Sequence, residues 1–184
     1  MAAASMMTGL NEQVERAEDF VREMDFAFLY DKKKDVFHIG YQVRAEALDA
    51  NHYDLLASEA RIASVVALAK GDIPRRHWIH LDRPLTSVDG LRALLSWGGS
   101  MFEYLMPNLL MREYQNTLLE QSNRASVREQ IDYAARKGVP WGISESGYYR
   151  LDAQMNYQYQ GFGVPGLGRK RGLAEDLVIA PYAS

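Results

Sequence analysis

The stretch Tyr53-Asp54-Leu55-Leu56-Ala57-Ser58-Glu59-Ala60-Arg61-Ile62-Ala63-Ser64-Val65-Val66-Ala67-Leu68-Ala69-Lys70 decides the fold that the sequence predicts. Leu55, Glu59, Ile62 and Val66 are spaced i, i+4, i+7 and i+11, so a helix over 53–70 would carry them on one face. Leu56, Ala60, Ala63 and Ala67 fill the adjacent strip. The apolar surface then covers most of the circumference, and such a helix packs among other helices. Gly71 ends it and Pro74 opens the next short segment.

On the N-terminal side, Val14, Ala17, Val21 and Met24 predict a helix over 11–26. Phe28-Leu29-Tyr30 and Val36–Tyr41 flank the charged turn Asp31–Asp35 and predict a β-hairpin. On the C-terminal side, Ser100 and Glu103 form the S-x-x-E pattern of a capping box and open a helix over 100–111, with a kink or break at Pro107. A further helix spans 118–137, where Val127, Ile131, Ala134 and Ala135 give a weaker stripe, and Gly138 and Pro140 stop it. Residues 139–172 are rich in Gly, Tyr and Pro and lack helical periodicity, and a segment of that kind is usually functional. Residues 174–182 are expected to open one more helix. The predicted class is mainly α with a small β element.

At 184 residues, 47% of them hydrophobic, the chain is long and apolar enough for one globular domain with a real core. Lys and Arg number 21 against 24 Asp and Glu, a net charge of −3, which argues against a nucleic-acid binder. The absence of Cys excludes disulfides and thiolate metal sites. No stretch approaches the ~20 apolar residues of a membrane span, and the N-terminus lacks the basic and apolar regions of a signal peptide. Eleven Tyr stand against six Phe and three Trp. A flat apolar face with a polar tip suits a wet, ring-shaped ligand such as a sugar, and also suits ordinary surfaces.

Two acids stand out. Glu59 would lie on the apolar face of a buried helix, where burial raises a carboxyl pKa toward what a general acid needs. A structural ion pair, for example with Arg61, explains it equally well. Glu145 sits in Trp141-Gly142-Ile143-Ser144-Glu145-Ser146-Gly147-Tyr148, where small neighbours let a ligand approach and Trp141, Tyr148 and Tyr149 offer stacking faces. On local sequence alone an exposed loop Glu is the more common explanation. Glu103 is accounted for by the capping box, and Asp54 by its place at a predicted helix start. His77 and His80 lack an evident third ligand and read as hydrogen-bonded or surface histidines. The Gly-rich run 161–170 lacks the Ser or Thr after Lys of a phosphate-binding loop. Glycosidic chemistry needs two carboxyl groups, one to protonate the leaving oxygen and one to attack or to activate water. Spacing does not force Glu59 and Glu145 together.

The ordered strings FLYD (28–31), FHIGY (37–41), YDLLASEAR (53–61), AKGDIP (69–74), LLSWGGSMFEYLMP (94–107), GVPWGISES (138–146), YQYQGFGVPGLGRKRGL (157–173) and EDLVIAPYA (175–183) closely resemble the glycoamylase-like central domain of bacterial cyclic β-1,2-glucan synthases. The resemblance implies an (α/α)6 barrel, with the 53–70 helix in its inner ring. It implies transglycosylation of linear β-1,2-glucan, closing it into a ring with retention at the anomeric carbon. Glu59 would be the acid/base and Glu145 the nucleophile. Substrate-binding candidates are Trp97, Glu103, Trp141, Tyr148, Tyr149, Tyr157, Tyr159 and Phe162, while Phe102 reads as core. No metal or organic cofactor is implied.

The chain would be the N-terminal part of the toroid, inactive by itself. Residues 1–27 are expected to be a helix and linker, in part an expression leader, and 28–184 the partial domain. The implied partners are β-1,2-glucan and the rest of the parent chain, with neither nucleic acid nor membrane contacted by this segment. Uncovered inner faces imply self-association, a partner chain or a non-barrel arrangement. The parent is expected at the bacterial inner membrane and this segment in the cytoplasm, soluble. An inverting endo-β-1,2-glucanase and a non-catalytic glucan-binding or assembly module are the alternatives.

Overall fold

The computed structural model describes residues 2–184. Helix α1 (Ala2–Glu23) begins earlier than its apolar spacing predicts, and Met6, Met7, Leu10, Val14, Phe20 and Val21 along it remain exposed. Strands β1 (Tyr30–Asp31) and β2 (Val36–His38) form the expected hairpin, with Tyr30 opposite Phe37. The Asp31 carboxylate accepts the Lys33 N–H at 2.8 Å and nucleates the turn. A smaller hairpin, β3 (Tyr41–Gln42) and β4 (Ala47–Leu48), follows. Strand β5 (His52–Tyr53) then returns to β2, pairing His52 with His38 and Tyr53 with Phe37.

That return overturns the long helix expected over 53–70. Helix α2 starts at Arg61 and runs to Lys70. Tyr53 is held in the β2–β5 ladder, Leu56 N–H donates to Asp82 O at 3.0 Å, and Asp82 N–H donates to Asp54 O at 2.7 Å. Ser58 Oγ accepts the Ala60 N–H at 3.2 Å, a local bond that competes with helix. Leu55, Leu56 and Ala57 are buried all the same. A short apolar run satisfies an extended path as well as a helical one, and tertiary pairing decides between them. Glu59 therefore lies in a bend ahead of α2.

Helix α2 ends at Gly71 in the left-handed conformation, φ +81°, as the Gly predicts. Its Ala67 packs with Tyr30, Phe37 and Ile73 into a small core. Helix α3 (Arg76–His80) buries His77, whose Nδ1 lies 2.9 Å from Asp35 O and whose Nε2 lies 2.8 Å from Ser64 Oγ. Both ring nitrogens are thereby engaged in joining α2, α3 and the β1–β2 turn, and burial lowers the imidazole pKa.

The larger core is built by β6 (Leu85–Val88), β7 (Leu91–Leu94), α4 (Met101–Leu105) and α5 (Leu118–Lys137). The turn Asp89-Gly90 takes positive φ at both residues, the hairpin geometry that an Asp-Gly pair favours. The Ser100–Glu103 capping box forms as predicted, and at Pro107 the helix gives way to a 3-10 turn, Met106–Leu109. Helix α5 matches its predicted span, capped by Thr117 and closed by Gly138. Its buried face is small and polar (Ser122, Ala125, Ser126, Gln130, Ala134), which is why its apolar stripe is weak.

Beyond α5 the chain forms a hairpin, β8 (Ser146–Leu151) and β9 (Tyr157–Gln160). The Gly-rich segment after β9 then enters the core. Phe162, Val164 and Leu167 are buried, and the backbone bonds to 96–99 at Val164 N→Gly99 O (3.0 Å), Ser96 N→Leu167 O (3.1 Å) and Lys170 N→Trp97 O (2.9 Å). The helix expected over 174–182 is absent. Ile179 bridges to Ile143, and only Pro181–Ala183 turn, in 3-10 form.

The expected mainly α barrel is corrected accordingly. The chain is 39% helical and 19% strand, with four small sheets. Among the described residues only α1, α2 and α5 reach ten residues, and α5 packs on the β6–β7 hairpin and α4 rather than within concentric helical rings. Among those residues no helix is long and apolar enough to cross a membrane.

Candidate active site

Three glutamates line one cavity of about 620 Å³, whose walls also include Lys34, Asn51, His52, Tyr53, Asp54, Trp97, Gly161 and Lys170. Glu103 is supplied by the first turn of α4. Its Oε1 accepts the Gly98 N–H at 2.8 Å, and its Oε2 accepts from Ser96 Oγ (3.0 Å), Ser100 N (2.9 Å) and Ser100 Oγ (2.8 Å). A carboxylate so fully bonded fixes the 96–103 loop. The capping signal was a true local signal, and the same side chain also forms part of the cavity wall.

Glu59 enters from the bend before α2. That bend is anchored by Arg61, which is 3% exposed. The Arg61 guanidinium donates to Ser58 O (3.1 Å), Glu103 O (2.9 Å) and Tyr104 O (2.7 Å), so it ties the Glu59 loop to α4. Arg61 thus binds carbonyls, and among the described residues no ion pair joins it to Glu59. Burial pulls the guanidinium down to about 10. The Glu59 carboxyl is raised above its ordinary value, by burial first and then by the charges of Glu103 and Glu145. Its own N–H and the Ser58 hydroxyl oppose the shift without cancelling it.

Glu145 is placed by four elements at once. The Gln130 side chain on α5 holds Ile143 through both N–H (2.8 Å) and C=O (2.7 Å). Ser144 Oγ accepts the Phe102 N–H of α4 at 3.0 Å. Tyr182 OH meets Ser144 Oγ at 2.8 Å and donates to Glu145 O at 2.9 Å. Tyr159 OH on β9 donates to Glu145 Oε2 at 2.7 Å. That bond, and burial after it, pushes the Tyr159 phenol up to about 12, so Tyr159 remains a donor at neutral pH. The Tyr53 phenol is also raised, by burial and then by the charges of Glu59 and Glu145, which places it within reach of both fields.

The sequence-predicted residues divide. Glu59, Glu145, Glu103 and Trp97 come together in the cavity. The Trp97 indole N–H donates to Asp54 Oδ1 at 3.0 Å, and the Arg169 guanidinium stacks on its ring. Tyr159 reaches Glu145 directly. Trp141 lines a separate cavity of about 340 Å³ with Phe102, Met106 and Tyr182. Phe162 is 2% exposed and packed in the core, and Tyr148 stands edge-on against it at 5.1 Å. Tyr149 and Tyr157 are exposed on the β8–β9 hairpin and do not line the cavity.

Lys34, Asn51, His52, Tyr53, Asp54 and Lys170 are wall residues that sequence reasoning missed. For Tyr53 and Asp54 the signal lay in the YDLLASEAR string, where a helical reading masked it. Among the described residues, Asp31, His38 and His52 have metal-ligand spacing, and they flank the cavity through His52.

Glu59 is expected to lower stability. A carboxyl whose folded pKa lies above its unfolded value penalises the fold once ionised. The penalty is absent below about 4.5, its ordinary value, and complete above the raised value. Glu59→Gln should therefore stabilise the chain at neutral pH by ~0.5–2 kcal/mol, in the range of relieved functional strain. The gain should fade as pH falls from the raised value toward 4.5 and be absent below it. Paired thermal melts from pH 4 to 8 check this, and a variant destabilised at pH 7 contradicts it.

Comparison with known proteins gives the class. The Glycoamylase family model matches residues 51–184, and the chain belongs to that family. It is also 53% identical over 170 residues to the cyclic beta-(1,2)-glucan synthase NdvB of Rhizobium meliloti (strain 1021). That alignment covers 92% of this chain and 6% of the relative, so the chain spans a small part of the protein it matches.

Proposed function

We propose that this chain supplies part of the active site of a cyclic β-1,2-glucan synthase, in the domain that transglycosylates linear β-1,2-glucan. Glu59 protonates the glycosidic oxygen as Glu145 attacks the anomeric carbon, giving a covalent glycosyl–enzyme and a released sugar end. A 2-hydroxyl of the same chain then attacks that carbon, Glu59 takes its proton, and the ring closes with retention. The observation that carries this is the cavity shared by a carboxyl raised by burial and a second carboxylate held by Tyr159. The proposed partners are β-1,2-glucan and the remainder of the parent chain, and the parent would sit at the inner membrane. Self-association would draw on the exposed apolar residues of α1.

The test is incubation of the full-length parent with linear β-1,2-glucan, following product size and anomeric configuration. Rings formed with retention are expected. Shorter linear chains released with inversion would instead favour an endo-β-1,2-glucanase. Such an enzyme separates its carboxyl groups by ~6.5–9.5 Å rather than ~5–5.5 Å to seat a water between them.

A further inference from the structure

We propose that Asp31, His38 and His52 form a binding site for one divalent transition-metal ion of the zinc class. The three residues come from β1, β2 and β5, neighbouring strands of one sheet, and His38 and His52 are register partners. Asp31 Oδ2 lies 3.0 Å from His52 Nε2 and 4.0 Å from His38 Nε2. All three ligand atoms fall within 4.8 Å of one another, and all three side chains are partly buried. Bonds of ~2.0–2.1 Å in a tetrahedral zinc site separate ligand atoms by about 3.3 Å, so closing the site needs only small side-chain movements.

The surroundings orient the set as metal ligands are oriented. His38 Nδ1 lies 2.6 Å from Asp49 O, an acceptor only, so Nδ1 carries the proton and Nε2 keeps its lone pair for a metal. Asp31 Oδ1 accepts the N–H groups of Lys33 (2.8 Å) and Lys34 (3.3 Å), which turns Oδ2 inward. Two imidazoles and one carboxylate select zinc, cobalt or nickel over calcium or magnesium, and three protein ligands leave a position for water. One group opposes the ion. Lys34 Nζ stands 3.4 Å from His52 Nδ1, so Nδ1 accepts and Nε2 carries the ring proton; binding requires this exposed side chain to swing away and the proton to move to Nδ1, which frees the Nε2 lone pair for the metal. The bound ion would clamp three strands where β5 enters the cavity wall.

The test titrates zinc into the chelator-treated 184-residue chain by calorimetry, with cobalt absorption as a second readout. One ion per chain and a tetrahedral cobalt spectrum are expected. Loss of an outer partner of a metal ligand costs ~10–100-fold in affinity, so His38→Ala and His52→Gln should each weaken binding at least about tenfold. Lys34→Met, on the surface and outside the ligand set, should tighten it. Absence of stoichiometric zinc overturns the proposal. So does wild-type affinity in a folded His38 or His52 variant, with folding checked by circular dichroism. Unchanged or weaker binding by Lys34→Met, which keeps the test decisive if the histidine variants misfold, overturns it as well.

Discussion

Gly163→Ala is expected to unfold the floor of the cavity. A Cβ at this position would lie 1.8 Å from Gly98 O, 2.6 Å from Gly99 C and 2.7 Å from Gly98 C. These are backbone atoms on the facing loop, and neither loop has room to retreat. Ser96 N and Lys170 N bond across the contact, and Glu103 fixes Gly98 from the other side. Overpacking against yielding side chains costs ~1–3 kcal/mol. Here the whole contact must open, so a loss above ~3 kcal/mol is expected, or roughly 10 °C in Tm for a chain of this size. Gly161→Ala is the control. Its Cβ would meet only Glu145 atoms at 3.8–4.0 Å, ordinary contact, and its melting temperature should stay near that of the parent. Equal melting of the two variants would show that the loops do not dock as described.

This contact explains why the local signals were legible and the architecture was not. The capping box at Ser100, the break at Pro107, the Asp31–Asp35 turn and both ends of α5 are decided within a few residues, and sequence reading found them. The Asp89-Gly90 hairpin carries an equally local turn signature, yet the sequence reading did not assign it. What escaped was decided at long range. The Gly98-Gly99 and Gly163–Gly168 segments look like loose linkers until their backbones are seen to touch. The strand at Tyr53 exists because β2 is there to receive it. A composition read as mainly helical therefore folds as a mixture, and Glu59 moves from a helix face to an anchored bend.

The site was legible to a different degree. Glu59 stood out for a wrong structural reason, as an acid on a helix face, although a partly buried acid before Arg61 is what the structure contains. Glu145 gave only a weak local signal, its small and aromatic neighbours, because its position depends on Gln130, Tyr159 and Tyr182, which are distant in sequence. The ordered strings of the family resemblance were needed to favour it over an exposed loop acid. The aromatic candidates show the limit of composition. Trp97 and Phe162 are both aromatic residues beside a Gly, yet one lines the cavity and the other packs in the core.

Glu145→Gln in the full-length parent should lower turnover of linear β-1,2-glucan by at least about 10³-fold, the scale on which a removed nucleophile is felt. The substitution keeps the shape of the side chain and still accepts from Tyr159 OH, so binding and folding should survive, and a melt near the parental temperature would confirm it. Glu145→Ala opens space beside Gly161, and azide, which needs no base, should then attack the anomeric carbon as Glu59 protonates the departing sugar oxygen, releasing a glycosyl azide. Such rescue marks Glu145 as the carboxylate that faces this carbon. The anomeric configuration of the parent's own product then decides whether that carboxylate attacks carbon or activates water. Tyr159→Phe removes only the donor that aims Glu145 Oε2 and should cost about tenfold, the scale of one hydrogen bond to a charged group. Full turnover in Glu145→Gln would leave the cavity as a binding surface. Loss of turnover in Glu145→Gln, together with inverted configuration in the parent's product, would make Glu145 the base of an inverting reaction.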